Sequence, residues 1–226
     1  RVPAPLRVLI TREVDANGMM RRVLNAHGVG LSGAVLLTPE AIAFKTPAHY
    51  DRLFFTSRNA VRYFVKGGGP LTEVPCDAIG PGTAQELRAH DAMPGFVGDG
   101  PDTTSIAKRY VEEHGERHVL FPCAEKGLRT VQKAMPSGNA MDVHVYRMQR
   151  APAANLPDAD VVIVTSPEHV DALHSVKALS SFKHRIAMGT STAQRIEDVS
   201  GLDAIIPWGS NEMALLDAVF NIATAP

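Results

Sequence analysis

A chain of 226 residues, 45% apolar and 21% charged, is long enough to bury a core as one large domain or two small ones. Its formal net charge of −1 at pH 7 shows no basic excess, which argues against a general nucleic-acid binder. An anionic ligand would have to be held by local Arg, Lys, hydroxyl and backbone N–H groups. Along the chain, short apolar runs read as strands at 7–11, 52–56, 76–80, 118–122, 142–146, 161–165, 184–189 and 203–207. Helical patterns lie between them, at about 17–27, 58–66, 82–90, 103–114, 126–135, 167–175, 191–198 and 210–222. Most of the runs lack strict alternation, as expected when helices cover both faces of a parallel sheet.

The text of the chain is written twice. "AIGPGTAQEL" at 78–87 returns as "AMGTSTAQRI" at 187–196, and "DRLFFTSRNAV" at 51–61 returns as "DVVIVTSPEHV" at 160–170. Both pairs keep one offset, 109 residues, which separates Ser57 from Ser166, Gly80 from Gly189 and Thr83 from Thr192. Two copies indicate duplication of a supersecondary unit rather than a solenoid, which needs three. A further correspondence is permuted: "RVLITRE" precedes its copy of the block, whereas the similar "HVLFPCAEKG" follows its copy. The ends of the chain therefore build one domain, 1–36 plus 154–226, and the middle builds the other, 46–146. Segments 37–45 and 147–153 cross between them as extended linkers flanked by Pro39, Pro47, Pro152 and Pro157. The expected fold class is α/β, with two flavodoxin-like parallel-sheet domains joined by a two-strand hinge that the chain crosses twice. A cleft between the domains would place ligands outside the carboxyl ends of the strands, where each repeated motif sits.

Cys76 and Cys123 are too few for a disulfide framework, no Cys-x-x-Cys pair is present, and they read as reduced thiols of a cytosolic protein. No apolar run reaches the roughly 18 residues of a membrane span. The N-terminal "RVPAPLRVLIT" enters a strand-like run without a signal-peptide core.

Several helix starts carry hydroxyls. Ser57 and Ser166 follow strands and precede helices, as N-caps, as anion contacts, or as both. "GPGTA" and "GTSTA" lack the phosphate-loop and dinucleotide patterns, but offer backbone N–H groups with Thr83, Ser191 and Thr192. "GPDTTS" at 100–105 and "WGSNEM" at 208–213 repeat the theme. Six hydroxyl-bearing helix N-termini imply a ligand with several negative charges. No nucleophile elbow or zinc-protease motif occurs, and His114 and His118 read as helix-end and turn residues. Tyr146 ends a strand just before the second crossing, as a proton donor or as a packing residue.

"VLITRE", "LFFTSRNAV", "AIGPGTAQEL", "HVLFPCAEKG", "VYRM", "VIVTSPEHV" and "AMGTSTAQRI", in that order, resemble the uroporphyrinogen-III synthase family over nearly the whole chain. The departures are "GTSTA", where the family often has G-P-T-T-A, and the loop bearing Cys123 and Lys126. The resemblance implies a cytoplasmic, monomeric, cofactor-free and metal-free lyase acting on hydroxymethylbilane, a linear tetrapyrrole with eight carboxylates. It further implies no nucleic-acid or membrane partner, and transient contact with the enzyme that supplies the substrate. Water is lost from the hydroxymethyl group of ring A, ring D attacks through its substituted carbon, and a spiro intermediate rejoins inverted as uroporphyrinogen III. By the same matching Tyr146 is the acid, Thr83 and Thr192 line the cleft, and Thr11, Arg12, Ser57, Ser166 and Ser191 are further substrate-binding candidates. Such chemistry needs orientation and one proton donor rather than a strong nucleophile.

Two other readings fit the bare residues. One is a non-enzymatic two-domain protein closing on a small anion, which would release its ligand unchanged. The other is a nucleotide-dependent regulator, which the missing phosphate loop disfavours. If the hydroxyls bind substrate, removing any one of them is expected to cost about 1 kcal/mol of binding, read as a several-fold rise in KM.

Overall fold

The computed structural model describes residues 4–100, 102–152, 155–209 and 211–224. The strands are β1 (Arg7–Ile10), β2 (Gly30–Gly33), β3 (Leu37–Ala41), β4 (Arg52–Phe55), β5 (Cys76–Ala78), β6 (Pro94–Val97), β7 (Val119–Ala124), β8 (Ala140–Arg150), β9 (Val161–Val164) and β10 (His184–Ala187). The helices are α1 (Met19–Ala26), α2 (Arg58–Lys66), α3 (Pro81–Ala89), α4 (Thr103–His114), α5 (Thr130–Ala134), α6 (Pro167–His174), α7 (Thr190–Ser200) and α8 (Glu212–Ala223), with a short 3-10 turn at Leu179–Ser181. Two compact units divide the chain: Arg1–Thr38 with Arg150–Pro226, and Pro39–Gln149.

In the first unit the sheet order is β10-β9-β1-β2, all parallel. Alternation along each strand feeds two cores. Val8, Ile10, Val161 and Ile163 pack with Met20, Leu24, Leu215 and Val219 from α1 and α8. Leu9, Val162 and Val164 pack with Val170, Leu173 and Ile196 from α6 and α7. The central strands are thus buried on both sides, which is why these runs show no polar alternation. The run at 203–207 was expected as a strand, but it reduces to a parallel bridge of Ile205 with Ile186. Counting that bridge as a fifth position gives the flavodoxin-type order 2-1-3-4-5 in chain sequence.

The second unit has the order β3-β8-β7-β4-β5-β6. Leu53, Phe55 and Leu120 face α2 and α3, with Ala60, Val61, Phe64, Ala84 and Leu87. Phe54, Val119 and Phe121 face α4 and α5, with Ile106, Tyr110 and Val131. Its five parallel strands are the circular permutation of the first unit's order. Element starts keep the offset seen in the text: Arg58 and Pro167, Pro81 and Thr190, and Thr103 and Glu212 each open a helix 109 residues apart.

Some expected boundaries moved. The crossings at 37–45 and 147–153, expected as extended linkers, contain β3 and the end of β8, and Ala153 lies outside the described residues. Ile42 N–H donates to the Val145 carbonyl (3.0 Å) and Ala151 N–H to that of Leu36 (2.9 Å), so these two strands run antiparallel. β3 and β6 both contain a proline, and both are edge strands, where a missing N–H costs no ladder bond. The helix expected over 126–135 shrinks to α5, because Arg129 takes the left-handed conformation at φ 56° and blocks extension toward the N-terminus. At the end of β6, Gly98 runs so close to β5 that a Cβ would lie 1.9 Å from the Ile79 carbonyl oxygen, so no larger residue fits.

One charged group sits inside this unit. Asp77 on β5 is 0% exposed and takes Nε and a terminal nitrogen of Arg52 at 2.8 and 2.7 Å, with the Tyr110 hydroxyl at 2.8 Å. Gly95 in β6 leaves room for that guanidinium, since a Cβ there would come within 3.0 Å of it. The carboxylate holds Arg52 protonated, and burial together with the same carboxylate pushes the Tyr110 phenol up. Arg52→Ala strands a buried carboxylate and is expected to cost about 3–5 kcal/mol in urea unfolding; a loss below about 1 kcal/mol would show that Tyr110 alone satisfies Asp77.

Candidate active site

In open parallel sheets the crevice forms where the strand order reverses. In the second unit that point lies between the carboxyl ends of β4 and β7. A cavity of about 290 Å³ lies there, lined by Thr56, Ser57, Cys123, Lys126, Arg129, Gln132 and Tyr146 among others.

Tyr146 reaches this cavity through a local irregularity. β8 pairs in register with β7 up to His144 opposite Cys123, and the next partner of β7, Ala124, faces Tyr146. Val145 is therefore the extra residue of a bulge, and bulges re-aim the side chain that follows them. Tyr146 consequently joins Val143 and Val145 in the core on the α2 side. It is 7% exposed, and its ring stacks on Tyr63 of α2 at a centroid distance of 5.5 Å. Its hydroxyl lies 3.1 Å from Ser57 Oγ. Ser57 caps α2, and the same oxygen accepts the Ala60 N–H at 3.0 Å. A phenol is thus held by a serine that is itself fixed at a helix N-terminus.

Cations complete the surroundings. Lys126 and Arg129 line the cavity, and Arg129 Nε donates to Asp142. The Arg58 guanidinium lies over the first turn of α3, within 2.9 Å of where a Cβ on Gly82 would stand. Arg58, Arg129 and Gln132 were not among the candidates drawn from the sequence, although Arg58 stands inside the repeated "TSRNA" motif. Gln132 lies inside the helical pattern read at 126–135, but that pattern does not show which side chain of the five-residue helix faces the cavity. Burial, with Asp142 nearby, pushes the Cys123 thiol up to about 12, which leaves it protonated and unsuited to nucleophilic attack.

The first unit carries the related edge with different partners. Thr11 at the end of β1 is buried, its Oγ1 3.0 Å from Thr165 Oγ1 and accepting the Thr165 N–H at 3.0 Å. Ser166 caps α6, accepting the His169 N–H at 3.3 Å, with its Oγ 2.7 Å from Nδ1 of the same histidine. Arg12 pairs with Glu212 at 3.7 Å on the rim of a second cavity. Ser191 is exposed in the first turn of α7, while Thr192 is buried and donates to the Met188 carbonyl at 3.3 Å. Thr83 is likewise buried in α3 and does not line the 290 Å³ cavity. Ser57 and Tyr146 are brought together, and Thr11 adjoins Thr165.

The expectation of six hydroxyl-bearing helix starts needs correction. The cap of α4 is the Asp102 carboxylate, which accepts from Thr104 N–H at 3.0 Å and Ser105 Oγ at 2.6 Å, and that of α8 is the Asn211 amide. A carboxylate at the α4 start repels an anion rather than binding one. Pro101 and Ser210, in the motifs read there, lie outside the described residues.

A duplicated, permuted pair of flavodoxin-type units with a phenol-bearing pocket at one strand edge defines a two-domain α/β enzyme scaffold. Residues 38–217 match the family model described as uroporphyrinogen-III synthase HemD. The chain belongs to that family, cyclising lyases of tetrapyrrole biosynthesis. Among solved structures it is similar to the uroporphyrinogen-III synthetase of Helicobacter pylori 26695, with a TM-score of 0.74 and 16% identity over 96% of this chain and 99% of that one. It is also similar to a mutant uroporphyrinogen III synthase of the extremely thermophilic bacterium Thermus thermophilus, with a TM-score of 0.59 and 15% identity over 96% and 98%. A search of curated protein sequences gives no match. Among the described residues, no helix is long and apolar enough to cross a membrane.

Burial holds His169 below the ordinary imidazole range, and His114 is lowered in the same way with help from the Arg52 charge. The unfolded chain protonates these rings near pH 6.5, before the folded protein does. The unfolded state therefore binds more protons in that window, and stability present above about pH 6.5 is lost as pH falls below it. The urea midpoint is expected to drop between about pH 7 and pH 5.5, and His169→Gln to flatten that drop; an unchanged slope in the variant would remove His169 from the account.

Proposed function

We propose that this chain converts hydroxymethylbilane to uroporphyrinogen III, with Tyr146 as the acid that assists loss of water from ring A. The observation that carries this reading is the Tyr146 hydroxyl, 3.1 Å from Ser57 Oγ at the wall of the 290 Å³ cavity. As the C–O bond of the hydroxymethyl group breaks, the pyrrole nitrogen supplies the electron pair, giving the azafulvene in its N-protonated, cationic form, and Tyr146 gives its proton to the leaving hydroxide to make water. The phenolate left behind faces the N-terminus of α2, whose N–H dipoles and Ser57 hydroxyl stabilise negative charge. Ser57 is thus a positioning residue, and Tyr146 the catalytic one. Ring D then attacks through its substituted carbon, and the cavity need only hold the reacting end of the substrate. Its volume, at the small end of ligand pockets, suits that role.

The carboxylates of the rest of the substrate are assigned to Lys126, Arg129 and Arg58, with Ser57, Thr83, Thr11, Arg12, Ser166, Ser191 and Thr192 as further binding groups. Segments 37–45 and 147–153 serve as the hinge between domains 1–36 plus 154–226 and 46–146. The enzyme works as a cytoplasmic monomer, receiving an unstable substrate by transient contact with the enzyme that makes it.

Tyr146→Phe tests the central role. Loss of a general acid is expected to lower kcat by about 100-fold or more, with KM changed only a few-fold. A fall in kcat/KM carried entirely by KM would make Tyr146 a binding residue, and undiminished turnover would remove it from the chemistry.

A further inference from the structure

Beside the phenol, three side chains of unlike ligand chemistry meet on the opposite face of the same strands. Cys123 on β7 and His144 on β8 are register partners, and Asp142 stands two residues before His144, so the pleat carries all three to one face. Their sulfur, carboxylate oxygen and ring nitrogen lie within 4.8 Å of one another. Cys123 is buried, Asp142 half-buried and His144 exposed, which leaves the cluster open on one side. Asp142 engages Arg129 through Oδ2, whereas its Oδ1 is buried with no hydrogen-bond partner among the described residues. A buried carboxylate oxygen without a partner is costly, and a metal ion bound at Oδ1 would supply one while Arg129 keeps Oδ2.

We propose that Cys123, Asp142 and His144 form a binding site for a thiophilic divalent transition-metal ion of the Zn²⁺ type. One sulfur, one imidazole nitrogen and one carboxylate oxygen match the donor set such ions prefer, while Mg²⁺ and Ca²⁺ take oxygen ligands. Metal–ligand bonds of about 2.0–2.3 Å put tetrahedral ligands roughly 3.3–3.8 Å apart. Closing the cluster from 4.8 Å asks for a shift of about an ångström, which the exposed His144 ring can supply. Asp142 contributes Oδ1, so Arg129 keeps Oδ2. On binding, the Cys123 thiol releases its proton to solvent, a sulfur–metal bond forms, and no electron changes hands. Cys123 also lines the 290 Å³ cavity, so water or a carboxylate entering there would be available to complete the coordination. The site is independent of the acid role given to Tyr146.

The test is titration of the untagged full-length protein with Co²⁺ alone, followed by optical spectroscopy. A thiolate-to-cobalt charge-transfer band saturating at one equivalent is expected, together with the visible bands of a four-coordinate ion, and Zn²⁺ should bleach both. The band should vanish in Cys123→Ser and persist in Cys76→Ser. His144→Ala should weaken binding at least about tenfold, since even residues that merely support a metal ligand cost that much. No charge-transfer band, a band that survives Cys123→Ser, or unchanged affinity in His144→Ala would each overturn the proposal. Should Cys123→Ser fail to fold, the wild-type spectrum and the exposed His144 variant still decide it.

Discussion

The Ser57 hydroxyl binds two groups at once, and the arrangement of the second unit's strand edge depends on both. As an acceptor from Ala60 N–H it fixes the start of α2, and 3.1 Å away it meets the Tyr146 phenol. The phenol can be there only because β8 carries an extra residue at Val145, which turns Tyr146 toward α2 and onto the Tyr63 ring. Cap, bulge and stacked rings therefore hold one proton donor at a topological switch point. Regular pairing through 145 would have sent the phenol to the opposite face.

Duplication explains the scaffold but not the chemistry. The two units share strand order up to a circular permutation, and their helices begin 109 residues apart. Their caps are matched too: Ser57 with Ser166, Gly80 with Gly189, and Asp102 with Asn211. Yet Ser166 is engaged by His169, its own helix neighbour, where Ser57 is engaged by a tyrosine from a distant strand. The buried ion pair of Arg52 and Asp77 also belongs to the second unit. Two copies of one fold have thus diverged in what their equivalent caps hold, and the acid chemistry is assigned to a single copy.

Much of this was legible in the residues. Strands buried on both faces announce themselves as unbroken apolar runs, and Ser-capped helices after them as β–α units, so α2 and α4 begin and end where their patterns do. The edge strands β2, β3 and β6 were missed because glycines in β2 and prolines in β3 and at the start of β6 break the apolar run. At α5, the left-handed Arg129 leaves no trace in hydrophobic periodicity. Tyr146 could be singled out from its place at a strand end, but its orientation depends on a bulge. Lys126, Arg129 and Gln132 were invisible as site residues, since their approach to the cavity is set by tertiary packing around a short helix. Thr83 and Thr192, legible as a repeated hydroxyl, have buried side chains, which the repeat alone does not reveal.

The most direct test of the account is to supply the purified protein with freshly generated hydroxymethylbilane and separate the uroporphyrinogen isomers. Ring D inversion predicts isomer III well above an enzyme-free control. Isomer I alone, as ring closure without the enzyme produces, would contradict the assigned chemistry and leave only a binding role for this fold.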